Sequence, residues 1–225
     1  MARGLLFAIS IDRGAAAKVR TMPNNPHALT LAQNDGEIFE VMESPKSDFD
    51  LKADRPRPTG RTKRRSDVHR DRDWHRSAHV WLVDPPRQLV AVQKRSEKKD
   101  TFPGRWDISA AGHIEAGASS MDTARRELAE ELGIDGVAAT AFIRAFTCPA
   151  EQAGWGGCNA FEDVYFVHVD SSNCDIRAGE AEVTAYRWIP IDTLEEKLRQ
   201  RDSEFVPRVD AYIEAFLDYL RTNCK

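Results

Sequence analysis

The chain has 225 residues, 41% of them hydrophobic, with a formal net charge of −4 and a pI near 5.9. That length suits one domain with extensions, and the mild acidity excludes a global electrostatic drive toward nucleic acid or anionic membrane. No apolar run reaches membrane-spanning length, and the four cysteines, with neither C-x-x-C nor zinc-finger spacing, read as reduced, incidental thiols of a reducing, cytoplasmic compartment.

Residues 1–35 read as an extension outside the fold, leaving 36–225 as the domain. Arg3, Arg13, Lys18 and Arg20 outweigh Asp12 around a short apolar run from Leu5 to Ile11. The stretch is therefore either a disordered tail or a targeting segment for mitochondrion or plastid. Next, EIFEVM (37–42) alternates apolar and polar residues and predicts an edge strand. Residues 44–58 carry three prolines and many charges and predict a loop. The run RTKRRSDVHRDRDWHR (61–76) is dense in arginine and histidine. It is either a solvated basic face or a cationic wall beside a phosphate-bearing substrate, with Arg65, His69 and His75 as contacts.

HVWLV (79–83) and QLVAVQ (88–93) predict core strands joined by the turn Asp84-Pro85-Pro86-Arg87. SEKKDTFPGR (96–105) is a polar loop, and WDISAA (106–111) a strand leading into Gly112. A helix is predicted from Ser119–Ser120, which offer N-cap oxygens, with Asp122 in its first turn. Ala124, Leu128 and Leu132 form its buried stripe, and Gly133 ends it as a left-handed residue would. On the charged face Glu127, Glu130 and Glu131 stand at i, i+3 and i+4, within one turn. Arg125 and Arg126 precede these carboxylates rather than interleaving with them, so a hard divalent cation is their natural neutraliser.

Beyond the helix, 139–147 and FEDVYFVHV (161–169) predict two strands. Between them lies a glycine-rich loop with Trp155, the kind of loop in which specificity usually resides. Glu180 and Glu182 precede a last strand, 184–189. Asp192 is expected to cap a short helix through Leu198. Val209, Tyr212, Ile213, Phe216, Leu217 and Leu220 then form the stripe of an amphipathic C-terminal helix packed on the core.

The stretch from Gly112 to Ile134 resembles the signature of the Nudix hydrolases, G-x5-E-x7-R-E-U-x-E-E-x-G-U, where U is a bulky aliphatic. Gly112, Arg126, Glu127, Leu128, Glu130, Glu131, Gly133 and Ile134 match; Ala118 stands where the motif has its first glutamate, which in the family mostly braces the motif's arginine or assists the metal shell. The resemblance implies an α/β (α+β) fold with a mixed sheet sandwiched between helices. It further implies a hydrolase of phosphorus acid anhydrides that uses Mg2+ or Mn2+. Glu127, Glu130 and Glu131 would hold the metal, with a backbone carbonyl near Gly112, and Arg126 would orient them. The water's proton would go to one of these carboxylates, or to Glu162 or Glu151 from a loop.

A wider likeness, over PTGRTKRR, the histidines, HVWLV, K-K-D-x-x-P-G-x-W-D and A-G-H-I, resembles the isopentenyl-diphosphate isomerase branch. That branch needs a catalytic cysteine and a metal bound by histidines and carboxylates. Here Ala111 takes the cysteine's place, Cys158 and Ala160 take the places of an acidic pair, and His69, His75 and His113 fall at or near the metal-binding histidines. The His69 to His75 spacing is one residue short. The reading is therefore hydrolysis of a small-molecule diphosphate, with His113, His69, His75, Arg65, Trp155 and Glu162 expected to contact substrate. A hydrogen-bonded packing role is the plain alternative for the three histidines. An isomerase and a noncatalytic diphosphate-binding module are the rivals; nucleic acid and membrane are not expected as partners, and a homodimer stays open.

Overall fold

The computed structural model describes residues 36–155, 157–178 and 182–224. The extension expected over 1–35 and the residue Glu180 lie outside them. The chain runs through β1 (Ile38–Met42), β2 (Pro58–Arg64), α1 (Arg65–Asp71), β3 (His75–Asp84), β4 (Leu89–Arg95), β5 (Trp106–Asp107), β6 (Ala110–His113), α2 (Ser120–Leu132), β7 (Phe142–Glu151), β8 (Asn159–His168), β9 (Val183–Pro190), α3 (Ile191–Arg199) and α4 (Asp210–Asn223). β1 and β2 form a small antiparallel ribbon, and the other strands form one seven-stranded sheet. Its β3 and β8 run parallel while the remaining pairs are antiparallel, so the sheet is mixed.

Helices cover both faces, which is why the central strands are apolar almost throughout instead of alternating. On one face Trp81, Val83, Val92, Val164 and Phe166 pack against Leu194 and Leu198 of α3 and Tyr212, Phe216 and Leu220 of α4. On the other, Val80, Leu82, Ala91 and Tyr165 meet Ala124, Leu128 and Leu132 of α2. Full burial of a leucine such as Leu128 contributes roughly 1.5–3 kcal/mol. A third, small cluster of Phe39, Val41 and Val68 joins α1 to the ribbon.

The predicted strand over 106–111 is in fact two. β5 pairs with β4, then the chain crosses and β6 pairs with β3. This happens because β3 and β4 pair only near their turn, Val83 with Val90 and Asp84 with Leu89, and splay apart beyond it. Ser109 fills the apex of the splay: its hydroxyl donates to the Ala91 carbonyl (2.6 Å) and accepts from the Leu82 amide (2.8 Å). Two backbone groups that the splay leaves without strand partners are thus satisfied by one side chain.

Other differences are local. Asp192 lies in the first turn of α3 and Pro190 is its N-cap, so the helix starts without a side-chain cap. Residues 139–141 form a 3-10 turn before β7. The basic run over 61–76 is neither bare nor one element. It supplies β2, α1 and the start of β3, and its cations are largely paired: Lys63 with Asp71 and Asp73, Arg70 with Asp67 and Asp71, and Arg76 with Asp163. Arg61, Arg64 and Arg72 face solvent, so the run is part solvated face and part ion-paired.

Candidate active site

α2 begins as its sequence dictates. The Ser119 hydroxyl accepts from the Asp122 amide at 3.1 Å, and Gly133 closes the helix in the left-handed conformation. Its buried stripe turns Glu127 and Glu131 inward, toward the point where β3 and β4 part. Glu131 Oε2 accepts from the Ala111 amide (2.9 Å) and from Gln93 Nε2 (2.8 Å). Glu127 lies so close to the glycine loop that a Cβ on Gly112 would stand 2.1 Å from its carboxyl carbon. Only glycine leaves room for the acid.

The three glutamates are not equivalent. Glu127 and Glu131 are buried, whereas the Glu130 side chain is 60% exposed and 3.8 Å from Arg126. The i, i+3, i+4 spacing puts them within one turn, but the sheet covers only two of them. Burial, then the charge of Glu131, holds the Glu127 carboxyl well above the ordinary carboxylate range against the pull of Arg126. Burial also raises Glu131, opposed by Lys99 and reinforced by Glu182. Lys99 and Glu182 are ion-paired, and the Ser96 amide donates to the Glu182 carbonyl, so the 96–105 loop is tied to the start of β9 beside the acids. Sequence reading noted Glu182 only as a flank of the last strand.

Arg126 spans the outside of the cluster, 3.0 Å from Glu127 and 3.9 Å from Glu115. Glu115 stands three residues before Ala118 and reaches the arginine that the motif's missing glutamate would brace. No spacing rule in the sequence points to it; the fold of the 113–118 loop does.

One residue past Gly112 a second cluster begins. Donor atoms of His69, His75, His113 and Cys158 all lie within 4.8 Å of one another. Phe39 stacks on His75 and His113 from the ribbon side. Burial lowers the His75 pKa to about 3 and that of His113 well below its usual value, so both are neutral rings. Burial and the nearby Glu162 charge raise the Cys158 thiol to about 12. Arg65, expected to meet substrate, is drawn in here: it reaches Glu37 (3.1 Å), Asp100 (3.5 Å) and His113 Nδ1 (3.1 Å).

The remaining expected contacts lie outside both clusters, Glu162 close enough to act on Cys158. Glu162 sits within β8, not on a loop, and is buried beside Arg208, whose Nη1 is 3.2 Å away; burial raises its pKa to about 7 against that cation. Arg208 also pairs with Asp107, and His79, Tyr212 and Trp81 extend this buried network. Trp155 is 42% exposed, with the Arg201 guanidinium 5.0 Å from its ring. Glu151 ends β7 and is exposed. None of His79, Arg208 or Glu115 was singled out from sequence.

A mixed sheet between helices, with an acid of one helix seated against the glycine of a neighbouring strand, defines an α+β domain built around a strand–helix junction. The model of the NUDIX domain matches residues 73–209, and the chain belongs to the Nudix hydrolase family. It is 36% identical to Nudix hydrolase 3 of Arabidopsis thaliana over 184 residues, which is 79% of this chain and 24% of that protein. The chain thus spans about a quarter of the Arabidopsis protein's length. An uncharacterised Nudix hydrolase of Listeria monocytogenes is 31% identical over 160 residues, 71% of this chain and 88% of that one. Among solved structures, DR0079 of Deinococcus radiodurans superposes with a TM-score of 0.54 at 16% identity, over 81% of this chain and 99% of the other. No helix among the described residues is long and apolar enough to cross a membrane.

Proposed function

We propose that this chain is a pyrophosphohydrolase that cleaves the diphosphate linkage of a small organic molecule with Mg2+ or Mn2+. The observation that carries this is the pair of buried carboxylates, Glu127 against Gly112 and Glu131 on the Ala111 amide, both raised in pKa by burial, Glu127 further by the charge of Glu131 and Glu131 further by that of Glu182. Leaving two such acids uncompensated is expensive, and an all-oxygen donor set suits a hard divalent cation. Glu127 and Glu131 would hold it, with the backbone carbonyl at Gly112. Its contribution when bound is Lewis-acid polarisation of the diphosphate oxygens and a lower pKa for adjacent water.

The rest of the chemistry belongs to the side chains. Gln93 and the Ala111 amide fix the Glu131 carboxylate in place, and Arg126 fixes Glu127. Glu130, the solvent-facing member of the trio, accepts the proton of the attacking water. That water's oxygen bonds to phosphorus, and the P–O–P bond breaks with its electron pair leaving on the departing phosphate. Lys99 and the Arg126 flank supply positive charge where negative charge develops.

Isomerisation is not favoured. Ala111 has no proton to give to an alkene, and hydrolysis needs none at carbon. The test is metal-dependent turnover of nucleoside diphosphate derivatives, isoprenoid diphosphates and thiamine-type diphosphates by the wild type and Glu131→Gln. Phosphate or monophosphate release by the wild type, lost in the variant, is expected. Equal turnover by both, or conversion of isopentenyl to dimethylallyl diphosphate with solvent deuterium entering carbon, overturns the reading.

A further inference from the structure

We propose that Cys158 completes, with His69, His75 and His113, a closed three-nitrogen, one-sulfur site for a borderline transition cation of the Zn2+ class, separate from the carboxylates of α2. The inference stands on the geometry of these four side chains and does not rest on the hydrolase reading. They come from α1, the start of β3, the end of β6 and the residue just before β8. All donor atoms lie within 4.8 Å of one another, and Cys158 Sγ is already 3.8 Å from His113 Nε2. Tetrahedral zinc, with bonds of about 2.0–2.3 Å, needs ligand–ligand edges of roughly 3.3–3.8 Å, so side-chain rotations of about an ångström close the site.

His75 is already set for the role. It is fully buried, and its Nδ1 lies 3.2 Å from the Asp73 carbonyl. A carbonyl only accepts, so the proton is on Nδ1 and the lone pair is on Nε2, which has no hydrogen-bond partner. This is the arrangement by which a ligating histidine is oriented from behind.

The donor chemistry selects the cation. The isomerase resemblance implies carboxylates alongside such histidines; this chain offers a thiol. Imidazole and thiolate together favour Zn2+ over Mg2+, which prefers oxygen and keeps its waters. Four protein donors fill a tetrahedral shell and leave no open position, so the site is structural. It ties α1 to the sheet, one residue from the Gly112 that seats Glu127. On binding, the Cys158 thiol gives its proton to solvent as sulfur bonds the cation. The His113 proton moves to Nδ1, and Arg65 turns fully onto Glu37 and Asp100, which it already touches.

Cobalt(II) added to reduced, chelator-stripped full-length protein reads the site directly. With Mg2+ in excess to occupy the carboxylates of α2, one equivalent should bind and show both the visible bands of tetrahedral cobalt and a near-ultraviolet thiolate charge-transfer band. Zn2+ should displace it, and a large excess of Mg2+ should not. Cys158→Ser should lose the charge-transfer band and bind cobalt more weakly by more than the roughly 10–100-fold cost of an outer-shell change. Glu131→Gln should keep band and stoichiometry. A wild type without the thiolate band, a Cys158→Ser variant that retains it, or its loss in Glu131→Gln overturns the assignment; the wild-type spectrum decides even if the serine variant does not fold.

Discussion

Replacing Arg208 by methionine should be the most destabilising single change in the buried network between the sheet and α4. Arg208 is 4% exposed and pairs with two carboxylates that are themselves buried, Asp107 and Glu162. Without it, Arg95, 3.1 Å from Asp107, is the remaining Lys or Arg among the described residues ion-paired to either acid. Removing one partner of a buried ion pair costs about 3–5 kcal/mol, because it strands an uncompensated charge. For a chain of this size that is about 2–4 °C per kcal/mol, or a fall in Tm of about 6–20 °C. Part of the cost can be relieved by protonating Glu162, whose pKa burial already raises to about 7. An acid whose folded pKa is raised destabilises the fold as pH climbs through it, so the loss should be smaller at pH 6 than at pH 8.5. Thermal melts at both pH values, with Arg208→Met alone and combined with Asp107→Asn and Glu162→Gln, test this. The triple variant should recover most of the loss, since neutral groups of similar volume need no counter-charge. An Arg208→Met variant within about 1 kcal/mol of wild type at both pH values would refute the reasoning.

Glu131→Gln should raise the stability of metal-free protein above neutral pH, because the buried carboxylate with its raised pKa weakens the fold when ionised. It should also abolish the rise in Tm with Mg2+ and cut turnover by at least about 100-fold, the upper end of outer-shell effects at metal sites. Gly112→Ala should displace Glu127 and lose about 1–3 kcal/mol by overpacking; Gly112→Ala with Glu127→Ala should regain stability in urea melts without regaining activity. Ala118→Glu should change turnover by less than about 2-fold, since Glu115 already reaches Arg126; a large gain in rate or metal affinity would show that Glu115 does not brace it. Finally, burial holds His79 neutral, its pKa well below the usual 6.5. Its stability contribution is present above that value and is lost as pH falls through it, by up to about 1.4 kcal/mol per pH unit. Protonating Glu127, Glu131 and Glu162 works in the opposite direction over this range, so the test is the difference: between pH 7 and 5 the urea midpoint of His79→Gln should fall less, or rise more, than that of the wild type.

Much of this protein was legible in one dimension because the signals are local. A serine cap, an apolar stripe at helical spacing and a terminal glycine suffice to delimit α2, since each acts within a turn of its own position. Likewise the apolar runs before and after Asp84-Pro85-Pro86-Arg87 declare the hairpin of β3 and β4, and the C-terminal stripe declares α4. The motif from Gly112 to Ile134 identified the family for the same reason.

What the sequence left open are quantities set by which surfaces meet. Glu127, Glu130 and Glu131 look alike as letters; the sheet buries two and leaves the third in water, and burial, with the charges it brings beside the two buried acids, sets them apart. The break between β5 and β6 follows from the splay of β3 and β4, a matter of strand twist and pairing to which no residue of 106–111 testifies except, in retrospect, Ser109. Arg208 and Cys158 reach their partners from 101 and 45 residues away, Asp107 and His113 respectively. No periodicity reports such distances. Charge pairing and donor geometry across the fold are decided only when loop closure has brought those residues together, and that closure is driven by the apolar faces of α2, α3 and α4 rather than by the polar groups it assembles.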